Sequence, residues 1–196
     1  MFAAQPVTTM RFLFTCMCLI ALSACGQQQG VSSAGCARSA THEVTWSNAL
    51  APDTITVRAE GPTCAQTVIT LTIRNARGDA LWAFAATHYA MTTGEGATPE
   101  DTPAVSEMEV DEFLTAWADV TQMRTGELPQ WSAGAASLTE SAETFSYDTP
   151  FERDVYEMLR ARDLPALCFA AGAESSQCLI IDPASNAPTR IVTYGP

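Results

Sequence analysis

The chain has 196 residues and a formal net charge of −12, and its 47% apolar content is enough to fill a core. That hydrophobicity excludes an acidic disordered chain, and 22 acidic residues against 10 arginines exclude the basic face a nucleic-acid binder needs. Lysine is absent, which removes Schiff-base chemistry, a phosphate-loop lysine and a Ser–Lys dyad.

Arg11 is followed by an apolar run of 11 residues, Phe12 through Leu22. A membrane-crossing helix needs about 20 apolar residues, whereas a secretory leader needs about 7–15, so the run reads as a signal peptide. Met10 makes a more ordinary start for such a leader than Met1. Leu22-Ser23-Ala24-Cys25 comes next. With the run before it, this stretch resembles bacterial lipoprotein precursors, whose lipobox reads Leu, a small residue, Ala or Gly, then Cys. The resemblance covers residues 10–25 and implies three things: recognition of Leu22, Ser23 and Ala24 by the lipoprotein signal peptidase, cleavage before Cys25, and diacylglycerol on the Cys25 sulfur with acylation of the new amino terminus. Three acyl chains make attachment to a membrane effectively permanent. Gly26 stands where an aspartate commonly retains enteric lipoproteins in the inner membrane, which points to the outer membrane.

Residues 26–35 are Gly, Gln, Ser, Ala and Val only, and read as a flexible tether of roughly 17–19 Å root-mean-square span. The expected organisation is a leader over 1–24, a lipidated cysteine and tether over 25–35, and one globular domain over 36–196.

Seven cysteines divide under this processing. Cys16 and Cys18 leave with the leader, Cys25 carries lipid, and Cys36, Cys64, Cys168 and Cys178 remain. An even number in an oxidising compartment predicts two disulfides, and four cysteines allow three pairings. Cys168 and Cys178 flank the turn-rich Gly172–Ser176, which favours Cys168–Cys178 across a hairpin and leaves Cys36–Cys64. The alternative, a Cys–His nucleophile or a metal site, lacks C-x-x-C spacing.

Ile55, Val57 and Ala59 alternate with polar neighbours, as do Ile69, Leu71 and Ile73, which predicts two half-buried strands. A short strand near Val44 and Trp46 precedes them. Asn75–Asp79 predicts a hairpin leading into Ala80–Ala85, apolar on both faces and expected to lie centrally under helices. An acidic Gly/Pro-rich loop spans 92–104. Ser106 with Glu109 forms a capping box for a helix whose buried stripe is Val110, Phe113, Leu114, Trp117 and Val120. Residues 125–149 read as a long loop, which hints at a binding loop or an undetected short element. Thr149-Pro150-Phe151-Glu152 predicts a second capped helix that buries Phe151, Val155, Met158 and Leu159 and ends at Pro165. The hairpin and a strand over Arg190–Tyr194 follow. The fold class expected is α+β: a mainly antiparallel sheet of six or seven strands with two amphipathic helices and two disulfides.

Candidate chemistry is sparse. His88 stands at a strand end and His42 is the other histidine, without H-x-H or H-E-x-x-H spacing, so both read as structural or surface residues before they read as ligands. Glu107, Asp111, Glu112 and Asp119 offer paired carboxylates, but on an amphipathic helix such charges form the solvated face. Trp131 is either an interface anchor or a plug fastening its loop. No catalytic constellation, metal or cofactor is assigned. Without its leader the chain has 9 arginines against 22 acids, −13, a surface suited to a cationic protein or peptide, or simply to solubility. The sequence therefore reads as a non-enzymatic, lipid-anchored, periplasm-facing binding domain. A hydrolase using carboxylates or His88, and a structural accessory of the outer membrane, are the alternatives.

Overall fold

A computed structural model describes residues 35–93, 103–139 and 145–196. The leader, Leu22, Ser23, Ala24 and Cys25, the tether up to residue 34, and most of the acidic Gly/Pro-rich loop lie outside the described residues. Ala34–Pro196 forms one compact unit.

Four strands open the domain: β1 (Cys36–Val44), β2 (Asp53–Gly61), β3 (Val68–Arg74) and β4 (Ala80–Thr87), paired antiparallel in that spatial order. Period-two alternation sends Ile55, Val57, Ala59, Ile69, Leu71 and Ile73 to one face, where each is fully buried. The β3–β4 hairpin turns on Asn75, whose carboxamide oxygen accepts the Arg77 and Asp79 amides, and on Gly78 at φ +85, a backbone region that favours glycine. Gly61 is required for a different reason. A Cβ there would sit 2.2 Å from the Gln66 carbonyl oxygen, so only glycine lets the 3-10 turn Cys64–Gln66 fold back on β2.

Helix α1 (His88–Thr92) is capped by the Thr87 hydroxyl, which accepts the Ala90 amide. Helix α2 (Glu107–Ala118) begins with the reciprocal Ser106/Glu109 capping box. A second antiparallel sheet follows, in the order β5-β7-β8-β9-β6, from β5 (Thr121–Arg124), β6 (Ser146–Asp148), β7 (Pro165–Ala170), β8 (Ser176–Asp182) and β9 (Ala187–Gly195), with α3 (Arg153–Ala161) entering before β7.

The second sheet is buried on both faces. Leu167, Phe169 and Leu179 join the inner face of the first sheet and Val110, Leu114 and Trp117 of α2. Cys168, Cys178, Ile180 and Ile191 point the other way, onto Tyr156 and Leu159 of α3 and onto Leu128 and Leu138. Both disulfides are present, Cys36–Cys64 and Cys168–Cys178, and the second joins residues paired directly across β7 and β8.

An α+β fold with antiparallel sheets and two disulfides is therefore observed, but its details depart from the sequence reading. Nine strands in two sheets replace one sheet of six or seven, and three helices replace two amphipathic ones. β4 is an edge strand, not a central one. Its alanines are apolar yet small, and Ala83 and Ala85 are exposed while Trp82 and Phe84 rest on the core. The last helix starts at Arg153 rather than Pro150, because the Thr149 hydroxyl donates to the Ile191 carbonyl, 2.7 Å, and pins the segment to β9. Met158 is half exposed and Tyr156 takes the buried place. Pro165 opens β7 instead of ending the helix. The segment 125–149 holds a 3-10 turn at Thr125–Glu127 and β6.

Candidate functional site

The inner face of β1 is polar where the neighbouring strands are apolar. Arg38, Ala40 and His42 stand at the positions that alternate toward α2, flanked by buried Cys36 and Val44. Arg38 reaches across to the helix: Nε donates to Asp111 Oδ1 at 2.8 Å, Nη2 to Asp111 Oδ2, and Nη1 to Glu107 Oε2 at 3.1 Å. This two-pronged guanidinium–carboxylate contact fixes orientation. The bonds from Arg38 hold the Asp111 carboxyl below its ordinary range. At the carboxyl end of the helix, His42 Nε2 lies 3.6 Å from Oδ1 of the capping residue Asp119.

These contacts hold α2 against β1 without closing the space beside them. A groove of about 590 Å³ runs there, lined on the strand side by Ala40, Thr41 and His42 and on the helix side by Met108, Glu112, Thr115 and Asp119. Met108 presents an apolar side chain at its rim, 67% exposed. Helix α2 has no basic residue in its last turn and caps on Asp119, so the negative end of its dipole and a carboxylate fall together. Electrostatically the groove suits cations. It meets a smaller aromatic cleft of about 250 Å³ at the end of α2, formed by Phe113, Trp117, Phe169 and Tyr194, through the shared residues Ala116 and Asp119. The Trp117 indole is oriented there by donating to the Ala170 carbonyl at 2.9 Å.

The other sequence candidates sit apart from the groove. His88 is buried in α1, edge-on to Phe113 with ring centroids 5.0 Å apart. Burial lowers its pKa, and the charge of Glu109 opposes that shift. The unfolded chain therefore binds a proton more readily than the folded one below the ordinary imidazole value of 6.5. Stability associated with neutral His88 is present above that pH and is lost as the pH falls from it toward the depressed folded value. Thermal melts between pH 7 and pH 5 should show a shallower pH dependence for His88→Gln than for wild type; equal slopes would contradict the assignment.

Trp131 is tied to α3. Its amide donates to Glu157 at 2.6 Å, its indole donates to Ala135 at 3.1 Å, and its ring meets Tyr156 edge-on. Tyr156 in turn donates to the Pro129 carbonyl and Arg160 to the Leu128 carbonyl. The loop is thus fastened along the helix, with Trp131 partly buried against the second core. Among the described residues, no group of three or more His, Cys, Asp or Glu side chains is placed to hold a metal ion.

Arg38, Met108 and Thr115 were not singled out by sequence. Arg38 and Asp111 are 73 residues apart, and no local pattern in the sequence joins them. No protein-family model, curated protein or solved structure matches this chain.

Proposed function

We propose that the protein is a lipid-anchored envelope lipoprotein, held at the periplasmic face of the outer membrane through Cys25, whose domain binds a cationic protein or peptide in the groove between β1 and α2. The observation that carries the binding role is the convergence of Glu112 and Asp119 with the negative end of α2 on an open groove in a chain of charge −12. Location rests on Leu22-Ser23-Ala24-Cys25 directly behind an 11-residue apolar run, with Gly26 next. Two disulfides suit an oxidising compartment.

The test uses the full processed protein in detergent micelles, titrated with a fluorescent arginine-rich peptide and a glutamate-rich counterpart. The arginine peptide binds, the glutamate peptide does not, and affinity falls steeply between low and physiological salt because exposed charges are screened. Glu112→Gln with Asp119→Asn weakens binding about fivefold, the scale of two exposed ion pairs. Equal affinity for both peptides, or for none, overturns the binding role.

A further inference from the structure

The two sheets present four edges, and three of them are blunted. β4 breaks register at Ile73/Arg74, where Leu81 is an extra residue. β5 has four residues and β6 three. Bulges and short strands are the devices by which proteins keep a sheet edge from pairing with another chain.

β1 carries none of them. Its nine residues run in unbroken register from Cys36 opposite Gly61 to Val44 opposite Asp53, without proline or bulge. Its arginine, Arg38, is turned onto α2 and held by Asp111 and Glu107, and His42 is turned toward Asp119, so neither projects along the edge. Among the described residues, no strand pairs with its outer side.

Both ends of β1 are also fixed. The Cys36–Cys64 bridge holds its beginning. At its end, buried Asp53 accepts the backbone amides of Trp46 at 3.1 Å and Ser47 at 2.6 Å, which locks the exit of the chain. An edge immobilised before it meets a partner loses little further entropy on pairing. The groove lies beside the second half of this strand, at Ala40, Thr41 and His42, with side chains of α2 as its far wall.

We infer that β1 accepts an extended cationic peptide as an added antiparallel or parallel strand. The proposal deepens the binding role given above and rests on it. Main-chain hydrogen bonds to the β1 edge supply affinity, and alternate side chains of the peptide fall into the groove beside α2, where Glu112 and Asp119 select basic residues. The remaining side chains lie over the outer face of the first sheet near Ser39 and Glu43, both exposed. Charge decides among occupants. A second copy of this chain brings a like net charge of −12 to the same rim, and residues 26–34 carry no charge at all.

The experiment again uses the full processed protein in micelles. The probe is a nine-residue peptide of alternating arginine and valine, matched to the length of β1. Two derivatives carry N-methyl groups on its odd or its even amides. Amide hydrogen exchange of β1 is followed with each. The parent peptide should slow exchange at alternate β1 amides about tenfold or more, as paired backbone groups require. One methylated derivative should keep this effect and the other lose it, because only every second amide of a strand faces a given neighbour.

If both derivatives bind and protect alike, strand addition is overturned while the cationic groove stands. If none of the three binds, both fall. Protection of the same amides without peptide overturns the proposal too: concentration dependence then identifies a second copy as occupant, and its loss on replacing residues 26–34 by a Gly/Ser segment identifies the tether.

Discussion

Cys36→Ala with Cys64→Ala is expected to cost about 3–4 kcal/mol, since a cross-link closing a loop of this length restricts the unfolded chain by that amount. The two cysteines are 28 residues apart in sequence, and the bridge ties β1 to the 3-10 turn that Gly61 admits. Against a total stability of about 5–15 kcal/mol for an ordinary domain, the loss moves a urea midpoint far down. The consequence is local as well as global. β1 pairs on one side only, so freeing Cys36 frays its beginning, and hydrogen exchange at residues 36–39 should accelerate before the rest of the first sheet opens. A stability loss under about 1 kcal/mol would mean that the β1–β2 pairing alone secures this end.

Asp53→Ala has the next largest expected effect, about 3 kcal/mol. The carboxylate is buried at the start of β2 and accepts three bonds, from the amides of Trp46 and Ser47 and from the Ser47 hydroxyl. Alanine leaves these donors without a partner, at about 1–3 kcal/mol for each that stays buried. The Trp46 amide is the one least able to reach water, since Trp46 packs in the core. Asp53→Asn keeps one accepting oxygen and should lose about half as much. Denaturation of the three proteins should rank wild type, Asp53→Asn, Asp53→Ala; an alanine variant as stable as the asparagine one would show that water replaces the carboxylate. Asp53 also secures the exit of β1, so the alanine variant should bind the arginine peptide more weakly than its remaining folded fraction accounts for.

Some of this architecture is written in local pattern. β2 and β3 announce themselves because Ile55, Val57 and Ala59, and Ile69, Leu71 and Ile73, alternate with outward threonine, arginine and glutamate. The capping box at Ser106 needs only residues three apart, and the Cys168–Cys178 pairing needs only a hairpin. β1 is harder to see. It sits under a helix that offers carboxylates, so its inward positions hold Arg38 and His42, and the alternation of hydrophobicity disappears although the strand is nine residues long. β5, with Thr121, Gln122 and Arg124 all exposed, has no apolar period to read. Ala80–Ala85 misleads in the opposite direction, since alanine packs or faces water with little difference in free energy. The groove was not legible for the same reason as β1: its two walls are separated by about a third of the chain, and no local pattern joins Thr41 to Glu112.

The helix surface shows how tertiary contact changes the meaning of a charge. In sequence, Glu107, Asp111, Glu112 and Asp119 read as a solvated face and Glu109 as half of a capping box. In the fold, Asp111 and Glu107 are occupied by Arg38, Glu109 caps its own helix amino end, Asp119 faces the groove beside His42, and Glu112 faces it without an ion pair among the described residues. The same division separates the acids engaged by Arg38, by His42 or by the helix amino end from Glu112, the one on which the proposed cation binding leans most.

The proposed lipid attachment at Cys25 sets this domain against an envelope surface, and one labelling experiment tests it directly. Cells expressing the wild-type chain or Cys25→Ser are grown with labelled palmitate, and the protein is recovered from membrane fractions. Lipid attachment at Cys25 predicts label in the wild type, co-sedimenting with outer membrane, and none in Cys25→Ser. Label in both proteins, or in neither, would contradict it.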